Sequence, residues 1–153
     1  MARKPLTWGV LGTGTIARLA LLPVLGRLRE ARLVGIASAD PDRAATRAAE
    51  FGIPRAYESY AALLDDADIA CVYIALPNHL HHEWAMHAAA AGKHVLCEKP
   101  LALRPTELDE MEAASQAAHV HLMEALMYRF HPRMARLRRL LDEGAIGVVH
   151  SVH

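Results

Sequence analysis

The sequence predicts an α/β domain, a doubly wound sheet of parallel strands with helices on both faces. Three observations carry that expectation. Short apolar runs alternate with longer helical stretches through most of the 153 residues, which is the rhythm of βαβ units. One run, Ile69 to Leu76, is apolar almost without interruption, as a strand buried on both faces of a parallel sheet must be. Several runs end at glycine, proline or a charged residue, and in an open α/β sheet the carboxyl ends of the strands are where ligands bind.

Leu6 to Leu11 is the first strand, and it runs directly into Gly12-Thr13-Gly14-Thr15-Ile16-Ala17. This spacing is the G-x-G-x-x-G/A pattern of dinucleotide-binding turns. Gly12 would permit the tight turn and Gly14 a close approach of backbone to a pyrophosphate. Ala17 would let the next helix, Thr15 to about Arg29, lie on the strand. The free N–H groups of that helix would face the phosphates. Pro23 lies inside it and predicts a break or kink near Leu22.

Arg32 to Ser38 is the second strand. Asp40 as N-cap and Pro41 at the first helical position start a helix to about Phe51, closed by Gly52. A carboxylate at the end of strand two would hold ribose hydroxyls, but Asp40 is taken as a cap. Ser38 and Arg43 would instead suit a 2′-phosphate, which favours NADP, with NAD as the alternative. Arg43 equally suits a solvated helix face. Arg55 to Tyr57 is a brief third strand, and Ser59 caps a short helix through Leu64. Pro77 and Asn78 end the fourth strand, Asn78 serving a cofactor ribose or a plain turn.

His79 to Ala91 reads as a helix closed by Gly92. It carries His79, His81, His82 and His87, yet no H-E-x-x-H pattern and no neighbouring cysteine, so no metal site is expected. His81, near the strand end, is the histidine placed to meet a ligand. The next strand, His94 to Cys97, stops at Glu98, Lys99 and Pro100. Pro100 cannot donate to a ladder, so a carboxylate and an ammonium stand at the carboxyl end of a buried strand.

Pro105 to Ala118 is an amphipathic helix with Leu108, Met111 and Ala114 on one side, and Val120 to Glu124 is a sixth strand. Tyr128, Arg129 and His131 follow in a loop, as candidates to face a substrate or as ordinary linker residues. Met134 to Leu141 is helical, Gly144 and Gly147 bracket a turn, and Val148 to Val152 begins another strand. The change of pattern divides the chain into residues 1–126, a nucleotide domain, and 127–153, the start of a second α+β domain.

Composition narrows the function. Apolar residues make up 53% and charged residues 22%, and 17 Lys plus Arg balance 17 Asp plus Glu. A neutral globular chain points to neither a nucleic-acid nor a membrane partner. No signal peptide or bilayer-length run is visible. Cys71 and Cys97 sit in apolar runs and read as reduced core thiols of a cytoplasmic protein; a bridge between them stays open if their strands are neighbours.

Four blocks carry a resemblance: GTGTIA at Gly12 to Ala17, PNHLHHEW at Pro77 to Trp84, GKHVLCEKPLAL at Gly92 to Leu103 and MEALMYRFHPR at Met123 to Arg133. Together they make the chain resemble the N-terminal half of the Gfo/Idh/MocA oxidoreductases. The last block is similar to the branch of NADP-dependent D-xylose and trans-dihydrodiol dehydrogenases. The resemblance implies a Rossmann domain followed by a larger sheet domain that shapes the substrate pocket and a homo-oligomer interface.

It also implies a hydride transfer between a nicotinamide and a hydroxyl of a small polyhydroxylated substrate. By resemblance, Lys99 is the catalytic lysine, touching the nicotinamide ribose and the substrate hydroxyl, and Glu98 and Pro100 shape its turn. The cofactor set is Gly12, Thr13, Gly14, Thr15, Ile16, Ser38, Arg43, Leu76, Pro77, Asn78, His81, Glu98 and Lys99, with Tyr128 and Arg129 toward substrate. Lysine would pass a proton or, kept charged, stabilise a developing alkoxide. Family members are over twice this length, so the chain alone would bind nucleotide and turn over poorly. A non-catalytic sensor module and an inactive fragment are the rival readings.

Overall fold

A computed structural model describes residues 4–151. Six parallel strands form one sheet: β1 (Leu6–Leu11), β2 (Ala31–Ala37), β3 (Arg55–Tyr57), β4 (Cys71–Ile74), β5 (His94–Cys97) and β6 (Leu122–Glu124). Their spatial order is β3-β2-β1-β4-β5-β6. The order reverses between β1 and β4, which makes the crevice above that pair the topological switch point. The chain is thus a doubly wound Rossmann-type domain, as the alternating pattern predicts.

The helices divide between the faces. α1 (Leu22–Leu25) and α2 (Pro41–Phe51) cover one side, where Leu22 and Ala48 meet Val10, Ile36 and Tyr73. α3 (Tyr60–Leu64), α4 (His81–Ala90) and α5 (Pro105–Ala117) cover the other, where Leu63, Ala88 and Met111 meet Leu11, Val72 and Val95. Along β4, Val72 and Ile74 serve one core and Tyr73 the other, all of them buried. That is why its sequence reads as a continuous apolar run.

Local chemistry explains the helix ends. The Asp40 carboxylate accepts from the backbone N–H groups of Asp42 and Arg43, and Gly52 closes α2 at φ +63°. Such a cap contributes about 1 kcal/mol. Ser59 likewise accepts from the Ala62 N–H and starts α3.

The irregularity expected near Leu22 takes the form of a change of helix type. The helix that opens at Thr15 widens into a π turn over Ala17–Leu21, with the Leu22 N–H donating to the Ala17 carbonyl. The wider turn ends where α1 starts at Leu22, which puts Pro23 in the first turn of that segment, where its missing N–H costs least. The helix then ends at Leu25 with Gly26 as its C-cap, short of the expected Arg29.

Two further expectations change. On α5 the buried residues are Met111 and Ser115, and Leu108 is exposed. Residues 148–151 form no strand, and Val152 lies outside the described residues. α6 (Pro132–Asp142) has no buried residue. Over β5 and β6, the sheet face shared with α1 is open. There Leu21, Val24, Leu96, Met123 and Phe130 line an apolar hollow of about 280 Å³.

Candidate functional site

One row of paired residues crosses the carboxyl rim of the sheet: Ala37, Leu11, Ile74, Cys97 and Glu124. Three of these strands are followed immediately by residues of interest. Ser38 follows β2, Gly12 follows β1, and Glu98 and Lys99 follow β5. Neighbouring strands are about 4.8 Å apart, so the Gly12 and Glu98 positions, two strands apart, are separated by roughly 10 Å along the rim. Both flank the switch point.

The glycine turn is built for close approach. Gly12 has φ +108°, and a Cβ there would meet the Ala75 carbonyl oxygen at 2.4 Å, so only glycine fits. Gly14 is the opposite case, because a Cβ there would meet nothing within 4 Å. The fold leaves that space open on the solvent side. Thr15 and Ile16, next in line, are exposed at the helix start, and no side chain caps the π segment that follows. An uncapped first turn offers unpaired N–H groups to an anion. These features fit a pyrophosphate.

The other expected cofactor residues separate into two groups. Pro77, Asn78, Arg43 and Lys99 are exposed. Thr13, Ser38, Leu76, His81 and Glu98 are buried. Thr13 and Ser38 share a hydrogen bond of 3.3 Å between their hydroxyls, and the Ser38 hydroxyl also accepts from the Asp40 N–H. Arg43, on the first turn of α2, is exposed. Leu76 packs against the Gly12 turn, 3.2 Å from where a Cβ would stand.

Two of the buried residues face inward. His81 lies beneath the rim loops and does not reach solvent. It is fully buried, with Nδ1 2.8 Å from the Pro100 carbonyl oxygen and Nε2 2.9 Å from that of Leu76. Both ring nitrogens are occupied, so none is left for a ligand. Glu98 also turns inward. Its Oε1 accepts from the Tyr73 hydroxyl at 2.5 Å and its Oε2 from the Lys99 N–H at 3.3 Å. Burial, then the Glu98 carboxylate, push the Tyr73 phenol well above its usual range, so it stays a donor. A hydrogen bond to a charged group of this kind contributes about 1.5–3 kcal/mol.

The Lys99 turn is therefore tied on several sides. Tyr73 holds Glu98 from β4, His81 holds Pro100 from α4, and Glu124 at the end of β6 accepts from the Leu101 N–H at 2.9 Å. The Lys99 amine itself has no hydrogen bond or ion pair among the described residues and is exposed. Sequence reasoning missed Tyr73 and Glu124 as supports. The signal available was one phenol within the apolar β4 run and one carboxylate at the end of β6.

Tyr128 and Arg129 sit past the end of β6. They lie in a 3₁₀ turn, Met127–Phe130, and line a hollow with Met134, Leu137 and Leu141 of α6. Among the described residues no cluster of three His, Cys, Asp or Glu could hold a metal ion. Cys71 pairs with His94, and Cys97 with Ile74. Their strands are neighbours, but three rungs, about 10 Å, separate the thiols along them, too far for a bridge. Burial first, then the charges of Glu98 and Glu124, push the Cys97 thiol up to about 12. No described helix is long and apolar enough to cross a membrane.

Comparison with known proteins agrees with this geometry. The chain is 45% identical over 145 residues to D-xylose 1-dehydrogenase (NADP(+)) 2 of Haloferax volcanii, covering 95% of this chain and 44% of that protein. It is 40% identical over 144 residues to trans-1,2-dihydrobenzene-1,2-diol dehydrogenase of Mus musculus, covering 93% and 43%. A 3-ketoreductase from Actinomadura kijaniata, solved in complex with NADP, superposes with a TM-score of 0.88 at 38% identity, over 94% of this chain and 46% of that one. The chain thus spans less than half the length of these relatives. The profile of an oxidoreductase family with an NAD-binding Rossmann fold matches residues 6–126, and the chain belongs to that family, GFO_IDH_MocA.

Proposed function

We propose that this chain is the cofactor-binding part of an NADP-dependent dehydrogenase that acts on a CH–OH group of a sugar or dihydrodiol. The observation that carries the reading is the shared rim: the Gly12 turn and the Lys99 turn stand at the same sheet edge, two strands apart, on either side of the switch point. The named relatives, a xylose dehydrogenase and a dihydrodiol dehydrogenase, support the substrate class. Residues 1–126 would form the nucleotide domain and 127–153 the start of a second one. The open sheet face over β5 and β6 and the unburied α6 support that division. In a longer form we expect a homo-oligomer, and the unbridged buried thiols suit the cytoplasm.

Gly12, Gly14, Thr15 and Ile16 would hold the pyrophosphate, and Thr13 and Ser38 would support that turn from below. Arg43 would meet the 2′-phosphate, and Pro77 and Asn78 would line the nicotinamide half. When bound, the nicotinamide supplies the acceptor for a hydride. Lys99 would place its amine at the substrate hydroxyl, take part in moving the proton from that oxygen, and, while charged, stabilise negative charge building there. Glu98 would hold the Lys99 turn, and Tyr128 and Arg129 would belong to the second domain's side of the pocket.

Calorimetric titration of the chain with NADP and NAD tests the reading. NADP should bind about tenfold more tightly than NAD, and Arg43→Ala should remove the difference. Absence of binding to either nucleotide would overturn the reading. The rival, a nucleotide-binding sensor, is favoured by the open rim around Lys99. Binding without reduction of NADP by any aldose, even in a form extended to the length of the relatives, would decide for it.

A further inference from the structure

The histidine buried between the two rim loops is given no role by the proposed function. Its Nε2 faces the carbonyl of Leu76, in the loop after β4, and its Nδ1 faces the carbonyl of Pro100, the residue after Lys99. The Leu76 side chain in turn packs on the Gly12 turn. One ring therefore spans from the loop beside the phosphate site to the loop that carries the amine. Because α4 begins at His81, the ring is fixed to a helix whose Ala85, Ala88 and Ala89 are buried. Tyr73 and Glu124 each hold the Lys99 turn to a single strand; His81 touches both loops.

We propose that His81 is a positioning residue for Lys99, setting the distance between the nucleotide-side loop and the turn that presents the amine. The proposal rests on the reading of Lys99 as the amine that meets the cofactor and substrate. Its physical content is that the ring's polar edges matter, beyond the volume it fills. A phenyl ring fills nearly the same space but offers no N–H at all, so the carbonyl that the imidazole N–H meets would lose its donor and the polar link between the loops would be gone.

The chain has three lysines, Lys4, Lys93 and Lys99, so ¹³C-dimethylation of lysine amines yields a simple NMR spectrum. The Lys99 signal is identified by its loss in Lys99→Arg. In the unmutated chain, saturating NADP should shift that signal. In His81→Phe, NADP should still bind within about threefold of the original affinity, since the Gly12 turn is untouched, while the Lys99 shift falls by at least about half. His81→Gln, which retains an N–H donor, should recover most of the shift. An undiminished Lys99 response in His81→Phe would overturn the proposal.

Failure of the underlying cofactor reading looks different: the unmutated chain itself would bind no NADP, or would bind it with no change at Lys99, and the proposal would fall with it. Should His81→Phe not fold, exchange of the His81 ring proton in the unmutated chain serves instead. Exchange slowed about threefold or more by NADP supports positioning, and exchange indifferent to NADP overturns it.

Discussion

Lys93 and Lys99 stand at the two ends of the same strand and are used in opposite ways. Lys93 precedes β5 at the amino rim. It is buried, and its amine donates to the carbonyls of Asp66 at 2.7 Å and Ile69 at 2.8 Å. Lys99 follows β5 at the carboxyl rim, exposed and without a partner among the described residues. At the amino rim, the loop after α3 folds over and satisfies the charge. At the carboxyl rim, the turn is held by its neighbours while the amine is left free. A parallel sheet makes its two edges unequal in just this sense, and ligands belong at the second.

The contrast is sharpest in a pair of substitutions. Lys99→Met, in a form of the protein long enough to turn over, should lower kcat/KM by about 10²–10⁴. Its urea midpoint should correspond to a stability change within about 0.5 kcal/mol, as for other exposed sites. Lys93→Met should do the reverse. Losing two hydrogen bonds from a buried cation and orphaning two carbonyls should cost about 3 kcal/mol of unfolding free energy, with NADP affinity preserved in whatever remains folded. Similar stability losses for both variants would erase the distinction between the rims.

The glycines draw the same line within one turn. Gly12→Ala places a methyl against the Ala75 carbonyl at a positive φ, so it should destabilise the chain by about 1–3 kcal/mol. Gly14→Ala meets nothing within 4 Å. It should leave the unfolding midpoint unchanged or raised, yet weaken NADP about tenfold by filling space meant for phosphate. Parallel losses of stability and binding in both would show that the open space at Gly14 serves no ligand.

The sequence was most legible where the signal is local. The limits of β1 and β5 follow from a glycine on one side and a charge on the other. α2 follows from Asp40, Pro41 and Gly52, each of which acts within a few residues of itself. Less legible were features set by residues distant along the chain. A proline in a helix announces an interruption, but the form it takes here, a π turn over Ala17–Leu21 ahead of Leu22, has no local sequence signal. The glycine pattern and the EKP turn located the rim. They did not reveal that His81 and Glu98 face inward, because their partners, Leu76, Pro100 and Tyr73, come together only when β4 and β5 pair.

The amino rim has a further signature, the smallest of these effects. Asp66 is held below the usual carboxylate range first by the Tyr57 hydroxyl, then by the Asp68 N–H and Arg55. A carboxylate with a depressed folded-state pKa stabilises the fold above its unfolded value and loses that contribution as pH falls through the folded one. Acid unfolding below about pH 4 should therefore include this group, and Asp66→Asn should flatten that limb in a pH series of urea midpoints. An unchanged limb would remove Asp66 from the amino-rim network.

The central claim is that a dinucleotide lies across the carboxyl rim, with phosphates on the Gly12 turn and the nicotinamide end beside Lys99. A crystal structure of the chain grown with NADP tests it most directly. The account predicts the pyrophosphate within hydrogen-bond distance of the backbone N–H groups following Gly12, and the nicotinamide ribose within reach of Lys99 Nζ. Nucleotide bound in the hollow of Leu21 and Phe130, at the amino rim, or on the Gly12 turn with its nicotinamide directed away from β5 would contradict it.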